Sequence, residues 1–277
     1  MQNWIDGFQE SIDYIEENLD GELDIEQIAA IAALSSFYYQ RIFGALCGMT
    51  VGEYIRARRM TLAASELAGS SEKVIDVAIK YGYDSPDSFS KAFQKFHGIA
   101  PSEAKNPGAP LKSISKLHIK VSLEGGNMLD YSITEKASFT IVGIKRSFNM
   151  DTCLVEIPKF WDEWLAQGDK RPIMGTFGVC LDSEGKNFDY WIADMYLPWE
   201  KVPEGCATRV IPASYWAQFP CTMSNLQDVN KKIWSEWLPA LKGYKPAGNY
   251  DLEVYLPCEE TKDGMDIYIW VPLTKEE

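Results

Sequence analysis

The sequence predicts a multidomain protein with an all-α N-terminal domain that holds two helix-turn-helix units, followed by an α+β domain. A helical pattern in the first part of the chain recurs about fifty positions later. A pattern of strand, helix, strand and strand in the second half recurs after 73 to 77 positions. Two breaker clusters, NPGAP at 106–110 and EGGN at 124–127, separate the halves. We therefore expect domains at 1–108 and 129–277, with a linker at 109–128.

The bulk composition is typical of a soluble globular protein. Apolar residues make up 46% of the 277 positions and charged residues 24%. No apolar run is long enough to cross a bilayer, and Met1 is not followed by a secretory signal pattern. The six cysteines are scattered without a C-x-x-C pair, and His97 and His118 are the only histidines. We therefore expect a cytoplasmic protein with no membrane partner, no metal site and no cofactor.

The net charge of −13 argues against a simple nucleic-acid binder, so the distribution of charge matters. Residues 1–26 carry nine acidic side chains and no lysine or arginine. Residues 36–105 reverse this balance, with nine basic and seven acidic side chains. The basic charge is therefore concentrated around the helical repeat. Because the excess is modest, any non-specific DNA binding should be weak, with a shallow salt dependence.

The stretch from Asp24 to Gly48 has the pattern of two short helices joined by a tight turn. Ser35 is a suitable N-cap for the second helix, since its hydroxyl can accept a hydrogen bond from a first-turn N–H group. The apolar stripe of that helix is formed by Tyr39, Ile42, Phe43 and Leu46. Its opposite face carries Ser36, Phe37, Gln40, Arg41 and Gly44. A helical hairpin in an ordinary core would show the same pattern, so this stretch alone leaves both interpretations open.

Residues 74–98 repeat the pattern and favour the helix-turn-helix interpretation. Phe93 and Gly98 recur fifty positions after their counterparts, and Pro86 follows a serine N-cap at the first helical position. The second helix is expected to bury Phe89, Ala92, Phe93 and Phe96 and to expose Asp87, Ser88, Lys91 and Lys95. A repeated unit joined by one long helix, at 53–68, is difficult to explain as a generic core.

Residues 8–105 resemble the DNA-binding region of the AraC/XylS family of bacterial transcription regulators. The run GYDSPDSFSKAFQKFHGIAPSEAK is close to that family's signature. The resemblance implies two recognition helices that enter successive major-groove segments of double-stranded promoter DNA, roughly 10 base pairs apart. RNA polymerase is a further candidate partner for a regulator of this kind. The residues that the resemblance places against bases or backbone are Ser36, Phe37, Gln40, Arg41, Pro86, Asp87, Ser88, Ser90 and Lys91.

Two features shift the expected base contacts toward the first helix-turn-helix unit. Asp87 places a negative charge near phosphate, which stabilises its own helix N-terminus but opposes DNA binding. In the first unit, the guanidinium of Arg41 can hold guanine O6 and N7, and the amide of Gln40 can do the same for adenine. We therefore expect Arg41 to be the main base-reading residue.

The second half consists of two similar units, each predicted as strand, helix, strand and strand. FWDEWL at 160–165 aligns with IWSEWL at 233–238, and FDYWIA at 188–193 aligns with MDIYIW at 265–270. The predicted elements lie at 138–148, 155–167, 173–181 and 187–197, then at 207–220, 226–241, 250–257 and 265–273. Such units cannot bury their helices alone. We therefore expect one antiparallel sheet with both helices on one face.

The alternation of side chains in the last strands predicts one aliphatic and one aromatic face. Ile267 and Ile269, with Leu252 and Val254, are expected under the helices. The other face is expected to carry Glu253, Tyr255, Trp191, Tyr268 and Trp270. A concave aromatic surface with one carboxylate suits an organic cation, through cation–π contacts and ion pairing. Alternatively, these aromatic residues fill a core or a dimer contact, and Glu253 is solvated.

Residues 129–273 resemble the GyrI-like effector-binding module, which is built from two such repeats. DLEVYLP at 251–257 corresponds to the strand that carries that family's pocket glutamate, so Glu253 is the implied ligand-binding residue. The family includes binders of hydrophobic cations, inhibitors of DNA gyrase and some hydrolases. The resemblance therefore implies a small hydrophobic or cationic effector.

The leading hypothesis is a DNA-binding transcription regulator that responds to such an effector. One alternative is a hydrolase in the C-terminal domain, with Glu253 as general base and Tyr255 assisting. The sequence supplies no Ser-His-Asp set and no phosphate loop for that role, so we predict no catalytic residue and no enzyme activity. Another alternative is a sensor whose helix-turn-helix half acts through protein contacts, which the net acidity favours.

Overall fold

A computed structural model describes residues 4–69, 72–119, 129–257 and 265–276. The chain separates into two compact units, each with a core of its own. Unit 1 comprises Met1–Tyr39 and Met49–Leu123. Unit 2 comprises Gln40–Gly48 and Glu124–Glu277.

The first half of the chain is helical, as predicted. Its helices are α1 (Trp4–Glu17), α2 (Ile25–Ile31), α3 (Ser36–Cys47), α4 (Val51–Gly69), α5 (Val74–Lys80) and α6 (Pro86–His97). The pairs α2–α3 and α5–α6 form the two helix-turn-helix units, and α4 is the long helix that joins them. A short 3-10 turn at Glu103–Lys105 follows α6.

The two helix-turn-helix units are built on matching local signals. Ser35 and Ser85 cap α3 and α6, since each hydroxyl oxygen accepts a first-turn N–H group, at 3.4 and 3.2 Å respectively. The turn before each cap requires a left-handed backbone, with φ of 55° at Ala33 and 78° at Gly82. The fifty-residue repeat in the sequence is therefore a repeat in backbone geometry as well.

The aromatic face of α6 packs into the core of unit 1. Phe89 and Phe93 are fully buried there, in a cluster with Met60 and Leu67 of α4 and Val77 of α5. Burying two phenylalanine side chains in this way stabilises a fold by roughly 2 kcal/mol each. This cluster fixes the position of α6 against the long helix.

The apolar stripe predicted for α3 is largely confirmed. Tyr39, Ile42 and Phe43 are buried, whereas Leu46 is 41% exposed and is a correction to the prediction. Leu46 lies in the last turn of α3, next to the end of the helix at Cys47, so the stripe stops before it.

Residues 111–119, part of the predicted linker, lie along unit 1 without forming a strand. The backbone N–H of Lys112 donates to His97 Nδ1 at 3.1 Å, and that of Ile114 donates to Thr61 Oγ1 at 3.1 Å. Side chains of unit 1 therefore satisfy these two backbone N–H groups of the linker. The remainder of the linker, 120–128, lies outside the described residues.

The second half forms one antiparallel sheet with two main helices. The strands are β1 (Ser132–Lys136), β2 (Phe139–Asn149), β3 (Phe177–Glu184), β4 (Asn187–Met195), β5 (Ala207–Ile211), β6 (Ser214–Cys221), β7 (Tyr244–Pro246), β8 (Asp251–Pro257) and β9 (Met265–Lys275). The order across the sheet is β1-β6-β9-β8-β3-β4-β2-β5, with β7 paired to β9. The helices are α7 (Cys153–Leu165) and α8 (Leu226–Lys232), which continues as a π-helical turn at Ile233–Trp237. The single strand predicted at 207–220 is divided in two after Ile211, where Pro212 lacks the N–H group that a continuous ladder needs.

The two repeats meet at the centre of the sheet, where β3 pairs with β8. On one side of this pair lie β4 and β2, and on the other side lie β9 and β6, in matching order. Trp161 of α7 and Trp234 after α8 are equivalent positions in the repeat. The internal duplication therefore brings two tryptophan-bearing helices to one sheet.

Both helices cover the same face of the sheet, called here the helix face. Phe160 of α7 packs on Phe148 with ring centroids 5.7 Å apart, and Trp237 packs on Phe219 at 4.8 Å. Ile269 pairs with Phe219 and shares this face, as predicted. The predicted arrangement of one sheet with two helices on one face is confirmed.

The face assignment predicted for β8 is wrong. Glu253 pairs with Ile269, so Glu253 lies on the helix face, and Tyr255 lies beside it. Leu252 and Val254 lie on the opposite face instead. The reason is that both faces of the sheet are buried, so an aliphatic side chain does not identify the side that the helices cover.

The opposite face of the sheet curves into a second core. Phe139 of β2 and Trp216 of β6 have ring centroids 6.3 Å apart, although four strands separate β2 from β6 in the sheet. Trp191, Tyr268 and Trp270 belong to this core. These three aromatic residues therefore do not share a surface with Glu253.

Candidate functional site

Glu253 lies at the centre of a hydrogen-bonded aromatic cluster on the helix face. Its Oε2 atom accepts hydrogen bonds from Tyr255 Oη at 2.7 Å and from Tyr190 Oη at 3.1 Å. Trp161 Nε1 donates to Tyr190 Oη at 2.9 Å, and the rings of Trp161 and Tyr255 meet edge to face at 5.1 Å. The residues Trp161, Tyr190, Glu253 and Tyr255 are called here the Glu253 cluster.

A glycine on the neighbouring strand makes room for this cluster. Gly178 of β3 pairs directly with Glu253 of β8. A Cβ atom at position 178 would lie 2.2 Å from Tyr190 Oη and 3.1 Å from Glu253 Oε2. Because Tyr190 is held by hydrogen bonds on both sides, it cannot move aside without breaking them. Gly178 therefore permits the close approach of the tyrosine hydroxyl to the carboxylate.

The surroundings of Glu253 determine its protonation. Burial raises the pKa of Glu253 above its ordinary value of 4.5, and the negative charge of Asp251 adds to the rise. The hydrogen bonds from Tyr255 and Tyr190 oppose it, because they stabilise the ionised form. Burial and the charge of Glu253 also raise the pKa of both tyrosines. Both hydroxyls therefore stay protonated at neutral pH and act as donors to the carboxylate.

A second carboxylate, Asp251, lies on the same face of β8 and is 5% exposed. It holds the guanidinium of Arg41, whose Nη2 atom lies 3.0 Å from Oδ1 and 2.9 Å from Oδ2. The same Nη2 lies 3.3 Å from Cys180 Sγ, and the guanidinium carbon lies 5.8 Å from the centroid of the Trp234 ring. Residues 40–48 belong to unit 2, so these contacts lie within that unit.

The guanidinium of Arg41 stays protonated in these surroundings. Burial acts to lower the pKa of Arg41, but the negative charges of Asp251 and of its other acidic neighbours together outweigh it and raise the pKa above its ordinary value. Burial raises the pKa of the Cys180 thiol well above its ordinary value, so the sulfur is a neutral neighbour. The contact between Arg41 and Asp251 is therefore a charged hydrogen-bonded pair with limited solvent access.

The five residues predicted for effector binding are divided between two faces. Glu253 and Tyr255 lie together in the Glu253 cluster, whereas Trp191, Tyr268 and Trp270 lie in the core of the opposite face. The prediction that all five share one surface is wrong, because the alternation in β8 was assigned to the wrong side. The structure instead places Trp161 and Tyr190 beside Glu253, and Asp251 on the same face of β8. Trp234 lies beside the guanidinium of Arg41, which Asp251 holds.

Two signals in the sequence identify the residues that were missed. Trp161 and Trp234 are matched by the internal repeat, which marks them as equivalent positions on the two helices. Asp251 stands two residues before Glu253, and side chains two apart on a strand share a face. Tyr190 has no comparable signal, since its partners come from other elements.

In the first helix-turn-helix unit, two predicted DNA-facing side chains are buried. Ser36 is 3% exposed, and its hydroxyl donates to Glu26 Oε1 of α2 at 2.6 Å. Phe37 is fully buried beside Tyr38, with ring centroids 5.3 Å apart. The prediction that both lie on an exposed face is wrong, because α3 is buried on more than the one face that the apolar stripe identifies. Gln40, next to Arg41, donates through Nε2 to the carbonyl oxygen of Gly185 at 3.0 Å.

The second helix-turn-helix unit has the exposure that the sequence predicts. Pro86, Asp87, Ser88 and Lys91 are exposed on α6, and Ser90 is half-buried. The Ser88 hydroxyl also donates to the carbonyl oxygen of Ser85 at 2.9 Å. The exposed candidates for DNA contact in this structure therefore come from α6, although their role in DNA binding stays a prediction.

Two cavities of unit 2 lie away from the Glu253 cluster. One, of about 620 Å³, is lined by residues that include Leu181, Thr208 and Tyr250, and another, of about 540 Å³, by residues that include Ile173 and Asp194. Glu253 is not among the residues that line these two cavities. Within the described ranges, no group of three or more His, Cys, Asp or Glu side chains is placed to hold a metal ion. No helix of the described chain is both long and apolar enough to cross a membrane.

Comparison with known proteins assigns both halves of the chain. A model described as a helix-turn-helix domain matches residues 28–106. A model described as an integron-associated effector binding protein matches residues 132–273, which is half of the chain. The two matched ranges do not overlap, and one lies in each half of the chain.

Individual relatives cover the helix-turn-helix part. The HTH-type transcriptional activator AarP of Providencia stuartii is 44% identical over 89 residues, which are 32% of this chain and 66% of AarP. The regulatory protein SoxS of Salmonella typhimurium is 37% identical over 98 residues, which are 35% of this chain and 92% of SoxS. The chain thus spans slightly less than two thirds of AarP and nearly all of SoxS.

One solved structure resembles about half of the chain. The structure of SAV2435 bound to tetraphenylphosphonium covers 53% of this chain and 94% of that chain, with 18% identity and a TM-score of 0.46. The domain assignment itself rests on the family models and on the relatives of the helix-turn-helix part. The chain belongs to the family of integron-associated effector binding proteins, and it joins an AraC-type helix-turn-helix domain to a GyrI-like effector-binding domain.

Proposed function

We propose that the effector is a hydrophobic organic cation and that the carboxylate of Glu253 is its counter-charge. The observation that carries this proposal is the Glu253 cluster, in which a carboxylate is surrounded by three aromatic side chains. Each tyrosine donates its hydroxyl to Glu253, so each ring is held beside the carboxylate in a fixed orientation. A cation placed against these rings gains cation–π contacts as well as an ion pair in reduced dielectric.

The energies involved favour a cation over a neutral ligand. A desolvated cation–π contact contributes about 2 kcal/mol. A buried charge that has no ion partner costs on the order of 2 kcal/mol or more. The other members of the Glu253 cluster carry no formal charge. A bound cation therefore supplies the counter-charge that they lack. A neutral ligand of the same shape gains only the apolar contact.

The DNA partner is promoter duplex, and we propose α6 as the surface that contacts its backbone. Lys91 lies on the exposed face of α6, and a lysine that neutralises one phosphate releases about one counterion. Lys91→Gln should lower DNA affinity to a similar degree for all sequences and reduce the salt slope by about 1. Lys231→Gln, at an exposed lysine of α8, is the control. An unchanged salt slope in Lys91→Gln would remove α6 from the interface.

Regulation requires the effector to favour one state of the protein over another. We propose that effector binding changes the availability of the helix-turn-helix residues, with RNA polymerase as the downstream partner and the cytoplasm as the site of action. We also propose that the C-terminal domain acts by binding and has no hydrolase activity. Hydrolysis of an ester by the wild-type protein that disappears in Glu253→Gln would contradict this.

Calorimetric titration with tetraphenylphosphonium, a hydrophobic cation, tests the cation proposal. Glu253→Gln keeps the size and hydrogen-bonding oxygen of the side chain but removes its charge, and should weaken binding by tenfold or more. Glu236→Gln makes the same change at an exposed position of unit 2 and should bind as the wild type does. Triphenylphosphine oxide, which has similar rings but no charge, should bind weakly to all three proteins. Equal affinity of wild type and Glu253→Gln for the cation would overturn the proposal.

A further inference from the structure

Arg41 and Gln40, the residues best suited to read bases, are both engaged within unit 2. Arg41 Nη2 contacts both carboxylate oxygens of Asp251, and Gln40 Nε2 donates to Gly185 O. Only 23% of the Arg41 side chain is exposed to solvent. A guanidinium in this position cannot at the same time hold O6 and N7 of a guanine. Binding of Arg41 to Asp251 and binding of Arg41 to a base are therefore mutually exclusive.

The surroundings of Arg41 have the composition of a binding site for a planar nitrogen cation. Asp251 supplies two oxygen acceptors, and Trp234 supplies an aromatic ring 5.8 Å from the guanidinium carbon. Glu253 lies on the same face of β8, two residues away, and its charge also acts on Arg41. Two carboxylates therefore face one internal cation, so the site keeps a negative charge even when Arg41 is present.

We propose that Arg41 is an internal ligand of this acidic site and that an effector with a guanidinium or amidinium group competes with it for Asp251. The proposal rests on cation binding at Glu253, and it specifies the chemical class of the effector and what the effector displaces. When the effector occupies Asp251, Arg41 becomes available to DNA. Linkage requires the reverse as well, so DNA that engages Arg41 raises effector affinity by the same factor.

Removing the internal ligand should strengthen effector binding. If Arg41 occupies the site nine-tenths of the time, Arg41→Gln should lower the apparent Kd for phenylguanidinium about tenfold. Lys231→Gln removes one positive charge from an exposed position of unit 2 and is the matched control. Circular dichroism and a thermal melt of each variant report whether the fold is kept. An unchanged Kd in a folded Arg41→Gln protein would overturn the proposal.

Removing the carboxylate should make Arg41 available without effector. The probe is a DNA duplex selected from a random-sequence pool by the Asp251→Asn protein. Asp251→Asn should bind this duplex about tenfold more tightly than the wild type, and phenylguanidinium should strengthen binding by the wild type only. The double variant Arg41→Gln with Asp251→Asn should lose the gain. Equal DNA affinity of wild type and Asp251→Asn would overturn the proposal.

The cation titrations and the DNA-binding measurements together distinguish a failure of this proposal from a failure of the proposed function on which it rests. If neither tetraphenylphosphonium nor phenylguanidinium binds the wild type or Arg41→Gln, cation binding itself fails, and the effector half of the proposal fails with it. The DNA arm then decides whether Asp251 restrains Arg41. If the cations bind but Arg41→Gln and Asp251→Asn behave as the wild type does, cation binding stands and the competition is refuted.

Discussion

Tyr255 donates its hydroxyl to Glu253 across 2.7 Å, although the two residues lie on one strand and are separated by a single position. Side chains two apart on a strand share a face, so the contact places both under the helices. The hydrogen bond favours the ionised carboxylate and burial disfavours it, and burial prevails, since the pKa of Glu253 is raised. The fold therefore keeps a carboxylate where its charge is costly, which is typical of a functional site.

Glu253→Gln should stabilise the free protein at neutral pH. The pKa of Glu253 is raised in the folded state, so the stability linked to its proton is present at low pH and is lost as pH rises through the folded pKa. Glutamine carries no charge to desolvate, so the variant should be more stable than the wild type at pH 7. Urea denaturation at pH 7 and at about pH 4 measures the gain. A gain that is larger at the acidic pH would contradict the assigned direction of the pKa shift.

Gly178→Ala should disrupt the Glu253 cluster. The new Cβ would lie 2.2 Å from Tyr190 Oη, so the tyrosine must give up its contact with the carboxylate. We expect a loss of about 1–3 kcal/mol in stability, as for other overpacked sites, and a fall in tetraphenylphosphonium affinity of about tenfold. Gly21→Ala is the control, because the nearest atom to its Cβ would be the carbonyl oxygen of Asn18, at 3.7 Å. Wild-type affinity in Gly178→Ala would show that the Tyr190 contact is dispensable.

Arg58→Ala, which breaks a largely buried ion pair, should destabilise unit 1 more than Lys116→Ala, which breaks an exposed one. Arg58 Nη2 pairs with Glu16 Oε2 at 2.7 Å, and the two side chains are 12% and 9% exposed. Its Nη1 also donates to the carbonyl oxygen of Ile114 at 2.6 Å. Loss of a largely buried partner should cost about 3 kcal/mol. Lys116→Ala breaks a pair with Asp13 whose side chains are 34% and 41% exposed and should cost about 0.5 kcal/mol. Denaturation midpoints of both variants provide the comparison, and equal losses would contradict it.

Ala33→Gly should stabilise the first helix-turn-helix unit. Ala33 has a φ of 55°, a conformation that costs a residue with a Cβ about 1–2 kcal/mol. Glycine relieves this cost but loses more chain entropy on folding, so the net gain should be about 0.5 kcal/mol. Gly82→Ala, at the matching turn, should act in the opposite direction, since its Cβ would meet Arg59 Nη1 at 2.9 Å. Chemical denaturation of the pair measures both signs, and a loss of stability in Ala33→Gly would refute the strain argument.

Most of the fold could be predicted from the sequence, because local signals repeat. The serine caps at Ser35 and Ser85 and the turn at Gly82 lie at the two helix-turn-helix units and specify backbone geometry directly. The repeated tryptophan motifs likewise predict one sheet with two equivalent helices. These features depend on residues that are close in sequence or on a comparison of the two repeats, so the sequence alone is enough to predict them.

The site was only partly predictable, because its composition depends on tertiary contacts. The sequence predicts Glu253 and Tyr255, but alternation cannot show which face of β8 the helices cover when both faces are buried. The contact between Arg41 and Asp251 joins residues 210 positions apart. Neither spacing nor charge pattern relates two such positions, so only the structure brings them together.

The most direct measurement of the central claim is the proton released when a cation binds. A cation beside Glu253 stabilises its ionised form, so a carboxyl group with a raised pKa should lose its proton on binding. Titrations with tetraphenylphosphonium in two buffers of different ionisation enthalpy, from about pH 4 to about pH 8, count that proton. We predict proton release in the acidic part of this range in the wild type, none near pH 8, and none at any pH in Glu253→Gln. Proton release that persists in Glu253→Gln, or buffer-independent binding throughout, would contradict the role of Glu253 as the counter-charge of the effector.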